Sequence, residues 1–261
     1  MTKSALPDRA ESVSPWPDRL WIVRHGQSAG NVARDRAHAQ GLGEIDLDIR
    51  DVDVPLSDLG HDQSEALGKW FAALPDDQRP TVVLTSTYLR ARQTATAIAA
   101  VGGLLRPDLA FCVDERLRER EFGILDRLTT AGIETRYPEQ AEARRRLGKF
   151  YHRPPGGESW CDVILRLRAA LDTLSLHHRD ERVLIVGHQV VVLCLRYLLE
   201  GLTEAEILAI DAQGDVANCG VTTYGRRSDG GLALEDYNFV APLEWEGAAV
   251  TTAPDAKVAA R

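Results

Sequence analysis

The sequence predicts a single α/β domain, a three-layer α/β/α sandwich with a mostly parallel sheet between two helical layers. Three observations carry that prediction. The short apolar runs "LWIV" from Leu20, "TVVL" from Thr81 and "VLIV" from Val183 have the length and unbroken hydrophobicity of strands buried on both faces. Each run leads toward a segment of helical periodicity, and strands that alternate with helices lie parallel. The chain of 261 residues, 44% apolar and 27% charged, is long enough for one sizeable core and ordinary in composition for a globular protein.

Taken in order, residues 1–18 are rich in Pro, Ser and Asp and read as a flexible arm without the apolar stretch of a secretory signal. The domain proper is assigned to 19–244, opening with the strand "LWIVRH". Residues 32–55 are polar and weakly patterned and read as an insertion. "LSDLGHDQSEALGKWFAAL" is an amphipathic helix with Leu59, Ala66, Leu67, Trp70 and Phe71 on its apolar face. "TVVLTS" is a strand, "TYLRARQTATAIAAV" a helix, and "AFCVD" a further short strand. The arginine-rich stretch 117–155 breaks the rhythm, and its part 124–155 reads as a second insertion of the kind that forms lids. After the breakers "RPPGGE" come the helix "SWCDVILRLRAALDTL", the strand "RVLIVGH", the apolar helix "QVVVLCLRYLLEG" and a small helix near 203–211. "GVTTYGRRSDGGLALEDYNF" is a hairpin turning at Ser228–Gly231, and 245–261 reads as a flexible tail.

Bulk properties narrow the function. A formal net charge of −8 argues against a nucleic-acid partner, although a local arginine cluster can still receive an anion. No run of 18 apolar residues is present, so no membrane partner is expected. The four cysteines form no CxxC pair, and Cys112, Cys194 and Cys219 lie in apolar or strand-like surroundings; reduced, buried thiols in a cytoplasmic protein are expected. His38, His61, His152, His177 and His178 show no ligand spacing and read as surface residues. "EIDLDIRDVD" lacks the Asp/Asn/Gly positions of a calcium loop.

The chemistry gathers at strand ends. Ligands of open α/β sheets bind beyond the carboxyl ends of the parallel strands. The first strand ends in Arg24-His25-Gly26, the second in Ser86 with Arg90 in the first turn of the next helix, and the later one in His188. Parallel strands therefore bring His25, Arg90 and His188 to one sheet edge, where helix N-termini add backbone donors. Two arginines and two histidines there suit a phosphate dianion, because the guanidinium fork matches its oxygens. Asn31 adds an amide donor, and Gly26 is expected to let the backbone approach the anion. A neutral imidazole can attack phosphorus, and a general acid is then needed for the leaving group. Glu119 in "ERLREREFG" is the candidate acid, with Glu121 its rival.

"RHGQSAGN", "PLSDLGHDQ", "STYLRARQTA", "LREREFG", "GGES" and "VGHQ" occur in an order that resembles the histidine phosphatase, or phosphoglycerate mutase-like, superfamily over about residues 19–240. The resemblance implies a phosphoglycerate mutase-like fold, with His25 phosphorylated, Glu119 as proton donor, and Arg24, Asn31, Arg90 and His188 forming the phosphate pocket. Neither a metal nor a cofactor is implied, because cationic side chains neutralise the phosphoryl charge. Glu121-Phe122, where mutases carry His-Tyr, and the stretch "GKFYHRPPGGES" favour the phosphatase-type branch. A small phosphorylated metabolite is thus the expected partner and phosphomonoester hydrolysis the expected reaction. The alternatives are mutase-type phosphoryl transfer and a non-catalytic phosphate-binding protein of the same fold.

Other residues keep two readings. Gln27, Ser28 and Gln189 are candidate substrate contacts, while Gln27 and Ser28 equally suit capping of the helix that starts there. Arg92 reads as a solvated neighbour of Arg90. The cluster Arg144-Arg145-Arg146 reads as a solvated helix face, or as a source of one contact to a second acidic group of the substrate.

Overall fold

A computed structural model describes residues 14–252. Six strands form one sheet: β1 (Arg19–Arg24), β2 (Val82–Thr85), β3 (Ala110–Val113), β4 (Arg182–Gly187), β5 (Val221–Arg226) and β6 (Leu232–Phe239), in the order β3-β2-β4-β1-β5-β6. β1 to β4 run parallel and the β5–β6 hairpin is antiparallel, with β5 against β1. Arg24 pairs with Gly187 at the end of the β1–β4 ladder, which brings His25 and His188 to one edge.

Period-two alternation splits the central strands between two cores. Leu20, Ile22, Val183 and Ile185 face α6 (Trp160–His177) and α7 (Gln189–Glu200); Trp21, Val23, Leu184 and Val186 face α2 (Asp58–Ala73) and α3 (Leu89–Val101). The predicted three layers are therefore present, and both central strands are buried throughout apart from their first residues.

α1 (Ala29–Ala39) runs well into the stretch that the polar pattern assigns to an insertion. Its N-terminus is fixed by a capping box in which Ser28 and Asn31 bond reciprocally, a local signal independent of any apolar face. α4 (Thr130–Arg136) and α5 (Pro138–Tyr151) make up the second insertion. They are tied back to the segment before α2 by the Glu44–Leu128 bridge, by Arg136 with Glu44 at 2.7 Å, and by Arg127 donating to the Leu47 carbonyl at 2.7 Å. α8 (Glu204–Gln213) follows α7.

Several expectations are corrected. Cys112 is exposed, because β3 is a sheet edge with three exposed residues, and Cys161 is half-buried; Cys194 and Cys219 are buried. His152, the C-cap of α5, is buried rather than on the surface. The chain ends are less free than their composition implies. Trp16 packs on the core, and Ser14 donates to the Gly230 carbonyl at 2.6 Å. α9 (Ala241–Trp245) buries Leu243, Trp245 meets Phe239 edge-on, and Thr251 Oγ1 donates to Asn218 at 3.0 Å. The remaining parts of the predicted arm and tail, 1–13 and 253–261, lie outside the described residues. Among the described residues no helix is long and apolar enough to cross a membrane.

Candidate active site

The carboxyl ends of β1, β2 and β4 open into a cavity of about 270 Å³ roofed by α1 on one side and by α4 and α5 on the other. His25 sits at its floor, 3% exposed. Its Nδ1 is 2.7 Å from the Gly26 carbonyl oxygen, which can only accept, so Nδ1 carries the proton and Nε2 presents its lone pair. Arg90 Nε–H points at that Nε2 from 3.3 Å. The two imidazoles of His25 and His188 stand edge to face, with centroids 5.1 Å apart.

His188 is the N-cap of α7 and wholly buried. Its Nε2 is 2.8 Å from Ser86 Oγ, at the end of β2, and its Nδ1 faces Glu119 Oε2 at 3.5 Å. Burial, followed by the nearby guanidinium of Arg90, pushes both histidines well below their usual range. Both are therefore neutral at physiological pH.

Glu119 lines the cavity, and its Oε1 accepts from the Arg120 amide at 2.8 Å. Burial pushes its carboxyl above the ordinary range even though Arg90 and Arg24 pull the other way. The rival Glu121 is exposed, accepts from the Tyr88 hydroxyl at 3.0 Å, and does not line the cavity. Glu119 is held from behind. Arg166 donates to its carbonyl at 3.2 Å and to Glu158 at 2.9 and 3.0 Å, and Glu158 also binds Arg118 and the Glu121 amide. This brace lies in the "GGES" segment but depends on Arg166, the seventh residue of α6, which no local pattern marks.

Arg24 is buried, with Nη1 on the Val216 carbonyl and Nε without a partner. Arg90 is engaged on every side: Nη1 and Nη2 clasp the Asp51 carboxylate at 2.9 and 3.2 Å, and Nη1 also donates to the Asp51 carbonyl at 2.7 Å. Asp51 is a cavity residue that sequence reasoning missed; it belongs to the short turn 51–53, and its pairing spans 39 residues. Asn31 Oδ1 accepts from Ser28 N–H, Ser28 Oγ–H and Asn218 Nδ2, which leaves its NH₂ group for the cavity.

Of the remaining predicted contacts, Ser28 and Gln189 line the cavity, Ser28 as the cap of α1 and Gln189 with its amide donating to Asp215. Gln27 does not: its side chain accepts from Ser57 Oγ at 2.8 Å, and it serves the packing of α2 against the loop. The close approach at Gly26 is also of a different kind from that expected. A Cβ there would lie 2.5 Å from the Gly60 carbonyl oxygen, so the glycine accommodates α2 rather than an anion. Arg144 and Arg145 line the cavity while Arg92 is exposed and apart from it.

Fold and site together define an α/β sandwich whose sheet edge offers a neutral histidine, a raised carboxyl and buried guanidiniums to an anion. The chain belongs to the histidine phosphatase superfamily (branch 1), whose family model matches residues 20–239. It is 32% identical over 180 residues to a Caenorhabditis elegans 6-phosphofructo-2-kinase/fructose-2,6-bisphosphatase, covering 69% of this chain but only 33% of that protein. It thus spans about a third of that longer relative. It is 31% identical over 186 residues to a probable phosphoglycerate mutase, GpmB, of Yersinia enterocolitica, covering 70% of this chain and 75% of the relative. Among solved structures, a mycobacterial glucosyl-3-phosphoglycerate phosphatase superposes with a TM-score of 0.65 at 26% identity, over 85% of this chain and 98% of that one. The same mycobacterial enzyme has also been solved with inorganic phosphate.

Proposed function

We propose that this protein is a phosphatase that hydrolyses a small phosphomonoester through a phosphohistidine on His25. The observation that carries the reading is the Nδ1 hydrogen bond to the Gly26 carbonyl, which leaves the Nε2 lone pair of a neutral imidazole at the cavity floor. In the proposed reaction Nε2 attacks phosphorus, the P–N bond forms as the P–O bond to the alcohol breaks, and Glu119 gives its proton to the departing oxygen. Water then attacks the phosphohistidine, Glu119 takes a proton from it, and the P–N bond breaks to release phosphate. Arg24, Asn31 and the Nε–H of Arg90 face the phosphoryl group, and their donors stabilise charge that builds on its oxygens. His188, expected as a phosphate contact, is wholly buried outside the cavity lining with its ring nitrogens toward Ser86 and Glu119, and so orients the acid instead.

A cytoplasmic protein acting on a phosphorylated metabolite fits this reading, as do the relatives named for phosphatase activity. Mutase-type transfer is the second reading and is favoured by the likeness to GpmB. It differs only in returning the phosphoryl group to a hydroxyl of a retained alcohol.

The test is phosphate release from a panel of phosphomonoesters in EDTA, by the parent and by His25→Ala. Turnover that persists in EDTA and disappears in the variant is the expected result. Activity that survives without His25 would sink the assignment of the nucleophile. Isomer formation from 3-phosphoglycerate without phosphate release would replace hydrolysis by the mutase reading.

A further inference from the structure

We propose that Arg34, on α1, is a further substrate-binding residue and supplies a third guanidinium to the phosphoryl clamp. The inference rests on the phosphatase reading above and extends it to a residue outside the recognised motifs.

Few donors are left for a phosphoryl group to reach. Arg90 has both terminal nitrogens on Asp51, so only its Nε faces the nucleophile. Arg24 has Nη1 on a backbone carbonyl and one free buried donor, Nε. Those two donors and the Asn31 amide are few for three non-bridging oxygens, each able to accept more than one hydrogen bond.

Arg34 lines the same cavity, and its Nε and Nη2 are buried without any hydrogen-bond partner. A buried, unpaired guanidinium nitrogen is costly, and a native site that leaves two of them bare is built to receive an acceptor. The one carboxylate within ion-pair reach of Arg34 among the described residues is its neighbour Asp35, at 3.8 Å and half-exposed.

Placement agrees with this count. Arg34 follows Asn31 by one turn of α1 and so lies on the same face as the amide that is aimed at the cavity. Its charge is felt at the floor. After burial, Arg34 is the strongest influence holding the Arg24 guanidinium down, to about 10, and it also bears on His25. A dianion that arrives beside both guanidiniums would offset the repulsion between them.

The experiment measures inorganic phosphate binding by calorimetry, hydrolysis of p-nitrophenyl phosphate, and thermal stability, for the parent, Arg34→Met and Arg34→Lys. The methionine keeps the apolar stem, and the lysine keeps a charge without the fork. The expected result is at least tenfold weaker phosphate binding and a similar fall in kcat/KM for Arg34→Met, a smaller loss for Arg34→Lys, and a melting temperature equal to or above the parent's. A residue with a merely structural role would lower the melting temperature instead, and that outcome would overturn the proposal. Unchanged phosphate affinity and ester turnover would also overturn it, including the case in which only esters with a second acidic group suffer. In both cases the parent's own turnover leaves the phosphatase reading standing. A parent that neither binds phosphate nor turns over the ester would overturn both.

Discussion

The carboxylate of Glu158 is the point at which fold stability and the proposed chemistry can be separated. It is 12% exposed and accepts from Arg166 Nε and Nη2, from Arg118 Nη2 and from the Glu121 amide. Burial alone would raise its pKa; the Arg166 hydrogen bonds and charge more than offset that and hold it low. Replacing it by alanine leaves Arg166, only 10% exposed, as a buried charge with just the Arg116 and Glu119 carbonyls. Removing one partner of a buried pair costs about 3–5 kcal/mol, and the 28% exposure of Arg118 places this site near the lower end, about 3 kcal/mol. For a domain of this size each kcal/mol shifts the melting temperature by roughly 2–4 °C, so Glu158→Ala should melt about 6–12 °C below the parent.

The same substitution should lower kcat more than it alters KM, because Arg166, without Glu158 on its other side, is held less firmly against the Glu119 carbonyl. Glu158→Gln, which keeps the shape and some acceptors, should fall between. Calorimetry or circular dichroism reads the first effect and steady-state kinetics the second. A Glu158→Ala protein that melts within about 2 °C of the parent would refute the reasoning, since that shift corresponds to less than about 1 kcal/mol and so to a solvent-screened pair.

Two further predictions follow from burial at the site. Glu119 has a raised pKa, so its charged form is disfavoured in the folded protein: its contribution to stability is complete below the unfolded carboxyl value near 4.5 and is lost as pH rises through the raised one. Glu119→Gln should therefore melt higher than the parent at pH 7, lose that advantage by pH 4, and abolish the fall of kcat/KM on the alkaline side; an equal melting temperature at pH 7 would contradict the assigned burial cost. Gly60→Ala would place a Cβ 1.9 Å from the Gln27 carbonyl oxygen, a backbone atom that cannot step aside without moving the His25 loop. A loss of about 1–3 kcal/mol, with lower activity, is expected in denaturant melts, and a variant as stable and active as the parent would show that the loop yields freely.

The parts of this molecule legible in the sequence are those with a local periodicity or a strand end. β1, β2 and β4 announce themselves by continuous apolar runs, and the rule that ligands sit at their carboxyl ends brings His25, Arg90 and His188 together without further information. Glu119 is preferred to Glu121 in the sequence only through the motif resemblance, because the physical reason lies in Tyr88, 33 residues from Glu121, which holds Glu121 outside the cavity. Asp51, Arg166 and the orientation of Arg34 were illegible for a related reason: their meaning lies in partners or cavities distant in the chain. Gln27 looked like a ligand contact because it adjoins His25, yet its partner is Ser57 on the neighbouring helix cap. Cys112 was misplaced because apolar character does not distinguish a central strand from an edge one.

The electrostatics of the site also explain why these groups stand together. Burial, and after it the guanidiniums of Arg90 and Arg24, depress the His25 pKa, so the residues that would grip the phosphoryl oxygens also help keep the nucleophile unprotonated in the empty protein. They oppose the other requirement, because the same two charges draw Glu119 toward ionisation, and its burial, helped by the charge of Asp51, keeps its pKa up. On the proposed reaction, substrate resolves the conflict. A phosphoryl dianion neutralises the cations that pull on Glu119 and adds its own negative charge beside the carboxyl, which raises the acid's proton affinity at the moment the leaving oxygen needs a proton. The acid is therefore strengthened as a proton reservoir by the substrate's own charge, and the Glu119-dependent alkaline limb should lie at higher pH for kcat, which reports the complex, than for kcat/KM, which reports the free enzyme.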